Sequence, residues 1–466
     1  PQSPVLRSAH PVDGVYLIAA PFVITEQRWK NIDVRVALLK EDPLIAKSYI
    51  EESLLSLEKY SQLLGPYPWP SFTVVENARE TGFGMPGFTL LGKKVLRLPF
   101  ILKTSLPHEI LHNWWGNAVY LKESEGNWCE GLTSYLADHS FAAASGRGSE
   151  DRLLTLTNWQ DYASGGKDFP LAHFRSRHNP ATQAVGYGKG QMFFHMLRLE
   201  LGDEIFYAGL RRFFQNNLFR RAGFSDLEVA FAQESGNDLG TFFQQWIFRK
   251  GAPQLHLGGA GKWRSERGWY LSLRLGQSVS DANGPYRLRV PVRIQTISGK
   301  VLQENILLLS ENFHVTFDLP ENPIKVAVDP EFDLFRSLHG EERPPLFSSL
   351  LAADNIIHRW TDESLAQIVE SNFPARYDSG PLEVATSRLP SGPLVVLSGD
   401  PSLLRPFLEK VLAQHGFDWR PNHALGFQGK EWDLRDSGFA LIVPHPANSQ
   451  YRLVWLNAGQ NPNWLA

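Results

Sequence analysis

Two histidines four residues apart with a glutamate between them, Pro107-His108-Glu109-Ile110-Leu111-His112, carry the clearest chemistry in this chain. On an α-helix, positions i and i+4 lie one turn apart on the same face, so His108 and His112 can offer two imidazoles to one Zn2+. Glu109 sits beside that face, close enough to take a proton from a water activated by the metal without being a ligand itself. The plainer alternative is a pair of histidines that merely pack. Local signals favour a helix here: Ser105 can cap it, Pro107 suits its first turn, and Gly116-Asn117 can end it after Trp115.

A second helix is expected to begin near Asn127 in Asn127-Trp128-Cys129-Glu130-Gly131, and its first turn offers Glu130 as a third ligand. Three protein ligands and an open position suit a catalytic zinc site, of one ion per chain, better than a sealed structural one. A first-turn carboxylate is also favoured by the helix dipole, and both roles can hold together. Cys129, the only cysteine, reads as buried packing rather than a ligand, and a single cysteine excludes an intrachain disulfide.

With His-Glu-x-x-His followed by Asn113-Trp114-Trp115-Gly116-Asn117 and then Glu130-Gly131, the chain resembles the aminopeptidase N family of gluzincin zinc metallopeptidases over roughly residues 14–335. Residues 113–129 number 17, one fewer than the family's usual spacing, a deletion that the loop Lys122–Gly126 would absorb. The resemblance implies that Tyr187, in Gly186-Tyr187-Gly188-Lys189-Gly190, is the tyrosine that stabilises the tetrahedral intermediate. A neutral phenol can donate a hydrogen bond to a developing oxyanion. Taken without the resemblance, a tyrosine among glycines reads as a loop packing residue.

The resemblance also makes Gly84, Met85, Pro86 and Gly87 part of a substrate-aligning strand. The family's glutamate for the free amino end of the peptide is missing from Gly82-Phe83-Gly84-Met85-Pro86-Gly87-Phe88. Glu76 or Glu80 could substitute, and the plainer reading makes both solvated strand-end charges.

The elements that must position these residues read as follows. Val15–Ile18 and Ile32–Leu38 alternate like strands, Pro43–Leu64 has helical spacing, and Phe72–Glu76 and Phe88–Leu91 are strand-like. Residues from about 104 to 250 read as mostly helical, ending in an amphipathic helix over Leu239–Lys250. Short β runs from about 255 to 335 suggest a small antiparallel sandwich. After Arg343-Pro344-Pro345, the strands Leu394–Leu397, Phe439–Val443 and Tyr451–Leu456 accompany a helix capped by Asp400.

The expected fold is multidomain α+β. Residues 1–40 are expected to be remnant strands of a β-rich N-terminal domain, and 41–254 a thermolysin-like, mainly helical catalytic domain with a β-sheet lobe. An antiparallel β-sandwich over 255–340 and a C-terminal α/β domain over 345–466 complete it.

At 466 residues with 43% hydrophobic and 20% charged residues, the chain is of ordinary globular composition. A formal net charge of −3 gives no reason to expect nucleic acid as a partner, and no apolar run approaches the roughly 20 residues of a membrane span. A start at Pro1 suggests a mature or trimmed chain.

The expected activity is zinc-dependent hydrolysis of a peptide or protein substrate, aminopeptidase-like in kind. An endopeptidase, a hydrolase of a non-peptide substrate such as an epoxide, and a metal-bearing peptide-binding protein without turnover are the alternatives. Compartment, oligomeric state and side-chain preference are open at this stage.

Overall fold

A computed structural model describes residues 10–459 except 13, 81, 267, 280, 282, 374, 384–387 and 421–422. The chain forms two compact units, one running to Trp159 and from Ala163 to Ser337, the other made of Gln160–Tyr162 and the chain from Leu338 onward.

In the first unit, β1 (Val23–Trp29) and β2 (Ile32–Leu38) form an antiparallel hairpin. Val34 and Val36 of β2 are fully buried, as the alternation of the sequence requires. Helix α1 (Pro43–Leu64) then crosses over to β3 (Ser71–Asn77), which pairs parallel to β2. Asp42 caps α1 by accepting from the Ile45 amide at 3.2 Å, and Pro43 occupies its first turn. The helix buries Ala46, Tyr49, Ile50, Leu57, Tyr60 and Leu64.

β4 (Gly82–Met85) and β5 (Phe88–Gly92) form a second hairpin. The sheet order is β1-β2-β3-β5-β4, which leaves β4 on an edge. Two expectations change here. Val15–Ile18 is not a strand and is exposed. β1 and β2, which fall in the segment 1–40 set apart above, join the sheet of β3 and β5. The backbone groups of β2 are satisfied by β3 on its far side, so no separate sheet is formed.

Most of 105–247 is helical, as its spacing suggests. Further along, strands between Gln254 and Val328 build two antiparallel three-stranded sheets that share an apolar core including Leu271, Leu273, Val292, Ile294 and Ile306.

The second unit has a five-stranded sheet in which the strands Arg376–Pro381, Asn355–Trp360, Leu394–Ser398 and Asn448–Asn457 run parallel, with Phe439–His445 antiparallel at one edge. Asp400 caps its helix Pro401–Gln414 as expected, and the helix buries Leu404, Phe407, Leu408, Val411 and Leu412.

Candidate metal centre and substrate strand

Helix α2 (Ser105–Leu111) is shorter than its sequence suggests. Thr104, not Ser105, is the cap residue, and the helix gives way at His112 rather than after Trp115. The break has a visible cause. The Asn113 side chain turns back to donate to the Ile110 carbonyl at 3.0 Å, while its Oδ1 accepts from the Gly87 amide at 2.8 Å and the Tyr67 hydroxyl at 3.2 Å. That buried amide thereby fastens the β4–β5 hairpin to α2. Asn117 adds a bond from its Nδ2 to the Gly84 carbonyl at 3.3 Å. Leu106, Ile110 and Leu111 fill the core, which leaves His108, Glu109 and His112 on the other face.

Helix α3 (Cys129–Ser134) brings the third residue. Asn127 Oδ1 accepts from the amides of Cys129 and Glu130 and so sets the first turn. Its remaining groups anchor a distant loop, the amide to the Phe174 carbonyl at 2.8 Å and Nδ2 to the Arg175 carbonyl at 3.0 Å. A methyl group on Gly131 would come within 2.7 Å of Gly190 Cα, so only glycine permits this approach of α3 to the helix Gly190–Leu201.

Ligand atoms of His108, His112 and Glu130 all lie within 4.8 Å of one another, the one such group among the described residues. Glu130 Oε2 stands 3.5 Å from Nε2 of both histidines. It is buried and has no hydrogen-bond partner among the described residues, a costly arrangement for a carboxylate oxygen unless a cation sits between the three side chains. The residues therefore fit a metal ion. Cys129 is buried, with Sγ 3.4 Å from His112 Nδ1, so it touches a ligand's back rather than the metal position. His112 Nδ1 also lies 3.2 Å from the Trp115 carbonyl, which suits donation there and leaves Nε2 free to coordinate.

Electrostatics support the same assignment. Burial disfavours charge on His108, but the carboxylates of Asp138 and Glu130 outweigh it and push its pKa up to about 9. His112 is raised in the same way against its burial, by Cys129 and Glu130. Burial works against an ionised Glu130 too, yet the two histidines hold its pKa far below the usual carboxylate range. So concentrated a set of opposing fields marks a place built for a cation. Burial raises the Glu109 pKa, opposed by the two histidines.

Tyr187 does not lie in a loop. It sits in a π-helical stretch, Ala184–Lys189, that runs directly into Gly190–Leu201. Its ring stacks 6.3 Å from that of His108, and Phe174 braces it edge-on at 6.1 Å. Gly186 leaves space for Phe174, whose ring would lie 2.1 Å from an added methyl group. Burial and then Glu130 raise the Tyr187 pKa, so the phenol keeps its proton.

Gly84 backs directly onto the metal helix: an added methyl would stand 2.8 Å from His112 Cβ and 2.9 Å from Glu109 Oε2. Met85, Pro86 and Gly87 continue from it into the hairpin turn, with Gly87 at φ +78°. Glu76 is not a solvated charge, whereas Glu80 is exposed as expected. Glu76 is 2% exposed, accepting from Arg97 at 2.6 Å and from the Leu39 amide at 2.7 Å. Glu80 accepts from the amides of Lys94 and Val95. Both are engaged within the fold.

Sequence reasoning passed over Asp138, whose Oδ2 lies 2.9 Å from His108 Nδ1. It also did not reveal that Asn113, Asn117 and Asn127 bond to segments distant in the chain, although each stood within a motif it quoted. An asparagine beside a metal-binding helix, with no apolar role, is the one signal that could have flagged them.

The family model described as the peptidase family M1 domain matches residues 101–246. The chain is 27% identical over 155 residues to an aminopeptidase N of Lactococcus lactis subsp. lactis, covering 31% of this chain and 18% of the relative. It is 24% identical over 277 residues to an alanine/arginine aminopeptidase of Saccharomyces cerevisiae, covering 53% and 31%. It is 22% identical over 376 residues to the tricorn protease-interacting factor F2 of Thermoplasma acidophilum, covering 74% and 44%. The chain thus spans less than half the length of each of these curated relatives. Among solved structures, aminopeptidase A of Legionella pneumophila shares the fold, with a TM-score of 0.51, 16% identity, and coverage of 71% of this chain and 39% of that one.

Proposed function

Because the chain is aminopeptidase N-like and carries a peptidase family M1 domain, we propose that it is a zinc-dependent peptidase. His108, His112 and Glu130 hold the ion, Glu109 is the general base and then the general acid, and Tyr187 is the oxyanion donor. The observation that carries this reading is the buried, unbonded Glu130 Oε2 facing Nε2 of both histidines. When bound there, the ion supplies Lewis acidity, activating a water and polarising the scissile carbonyl.

Glu109 takes a proton from the attacking water and returns it to the leaving amine. The Tyr187 hydroxyl donates to the oxygen that gains charge as the carbonyl carbon becomes tetrahedral. On the sheet edge, β4 offers the backbone around Gly84, Met85, Pro86 and Gly87 to an extended peptide, as edge strands do in strand addition. Asn113 and Asn117 hold that edge in place over the helix.

Aminopeptidase activity is the reading that the relatives' names support. Internal cleavage is a second reading, favoured by one observation: Gly82–Met85 carries no carboxylate for a free amine, and Glu76 and Glu80 are engaged elsewhere. Hydrolysis of matched peptides with free and acetylated N-termini decides between them. The domain reading that goes with this function is a thermolysin-like catalytic domain over 41–254, a β-sandwich over 255–340, and an α/β domain over 345–466 that docks or stabilises.

The test of the whole proposal is Glu109→Gln. That variant is expected to retain one zinc ion per chain while losing peptide hydrolysis, and unchanged hydrolysis would refute the assignment.

A further inference from the structure

The segment His173-Phe174-Arg175-Ser176-Arg177-His178 brings the guanidinium of Arg177 to the rim of this centre, beside Tyr187. Arg177 is exposed, and its guanidinium carbon lies 5.9 Å from the centroid of the Tyr187 ring. Among the described residues no carboxylate lies in an ion pair with it. Arg175 is exposed too, and its Nη1 donates to the carbonyls of Ala172 and Phe174, which leaves its charge without a carboxylate partner among those residues.

The placement is built rather than incidental. Asn127, which sets the first turn of the Glu130 helix, binds the carbonyls of Phe174 and Arg175. Phe174 packs beneath Gly186 and against Tyr187. One asparagine and one phenylalanine therefore tie the position of Arg177 to the positions of Glu130 and Tyr187.

The carboxylates around the centre are already committed, Glu109 to proton transfer in the proposed mechanism. Glu130 faces the two histidines, Asp138 holds His108, Glu76 binds Arg97, and Glu80 caps the turn at Lys94. The substrate strand Gly82–Met85 is uncharged. The charge that this rim leaves free to recognise a substrate is positive.

We propose that Arg177 receives a carboxylate of the substrate, so that the centre favours peptides carrying one close to the scissile bond. The guanidinium fork matches a carboxylate in bidentate fashion, and stacking on an aromatic face limits its freedom before binding. The carboxylate is either an acidic side chain or a free C-terminus, since the chemistry is shared. This inference rests on the peptidase reading and specifies the substrate class of that site.

The test uses peptide pairs that differ only in one carboxylate: free against amidated C-terminus, and Asp against Asn at one position. The wild type is expected to show a kcat/KM about tenfold or more higher for the carboxylate member of at least one pair, chiefly through KM. The pair that responds identifies the source. Arg177→Gln should bring that ratio close to one, and Arg177→Lys should restore part of it. A preference that persists in Arg177→Gln, or a wild type indifferent to both pairs, overturns the proposal. Calorimetric binding of the same pairs to the zinc-loaded Glu109→Gln protein reads the preference without turnover. If no peptide is cleaved, the peptidase reading fails, and equal affinities would separately overturn the role of Arg177.

Discussion

Asp138 holds its carboxylate 2.9 Å from Nδ1 of His108, and this pairing turns Nε2 of the same ring toward Glu130. A carboxylate behind a ligating histidine fixes its tautomer and raises its basicity. Asp138 reaches this position through a π-helical turn, Tyr135–His139, that follows α3. At about 100° per residue, a regular helix would rotate a residue eight positions after Glu130 by about 80° off its face, whereas seven positions return to within about 20°. The extra residue of the π turn removes that error.

Replacing Asp138 by Asn keeps the shape and removes the charge. Zinc affinity, measured by chelator competition, is expected to fall about 10-fold to 100-fold. An unaltered affinity would mean that the contact does not tune the ligand.

Tyr187→Phe removes one hydroxyl from a ring that keeps its contacts with His108 and Phe174. If the hydroxyl meets the oxyanion, kcat should fall about a hundredfold or more while KM changes little. A change confined to KM would assign the tyrosine to substrate binding instead.

Gly84→Ala places a methyl 2.8 Å from His112 Cβ, an atom fixed by its helix, and 2.9 Å from the Glu109 carboxylate. Strand β4 must retreat. The expected result is a loss of about 1–3 kcal/mol of stability in urea unfolding and a drop in kcat/KM of at least about tenfold. Full activity with full stability would show that the hairpin is free to move.

His139 is buried, with Nε2 2.9 Å from Arg152 Nη1, so the ring must be neutral there to accept from the guanidinium. Burial, then the neighbouring His195 and Arg152, lower its pKa from 6.5 to about 3. In the unfolded chain the ring binds a proton near pH 6.5, while the folded chain refuses it until about pH 3. The stabilisation is therefore present above pH 6.5 and is lost as the pH falls through this window. At about 1.4 kcal/mol per unit, the loss reaches about 2 kcal/mol by pH 5. Unfolding midpoints between pH 7 and 5 check this, and His139→Gln, which keeps an acceptor, should flatten the dependence.

Read from sequence, the residues of the metal centre were accessible because each signal is local. His108 and His112 are one helical turn apart, Glu130 falls in the first turn of the next helix, and Asp400-Pro401 announces a helix start within two residues. Val15–Ile18 failed because alternation marks a strand only when a partner exists to satisfy its backbone, and none pairs with it among the described residues. Glu76 was misjudged as solvated because nothing in its neighbourhood along the chain reveals that Arg97 and the Leu39 amide surround it.

The amino-acid sequence by itself determined which side chains can share one metal ion, since periodicity within a single helix decides which residues share a face. Tertiary structure alone decided how those side chains are aimed and what surrounds them. The π turns that rotate Asp138 and carry Tyr187, the asparagine bridges to Gly84 and Gly87, and the setting of Arg177 beside the tyrosine arise from packing between segments far apart in the chain. Such packing leaves no period in the sequence to read.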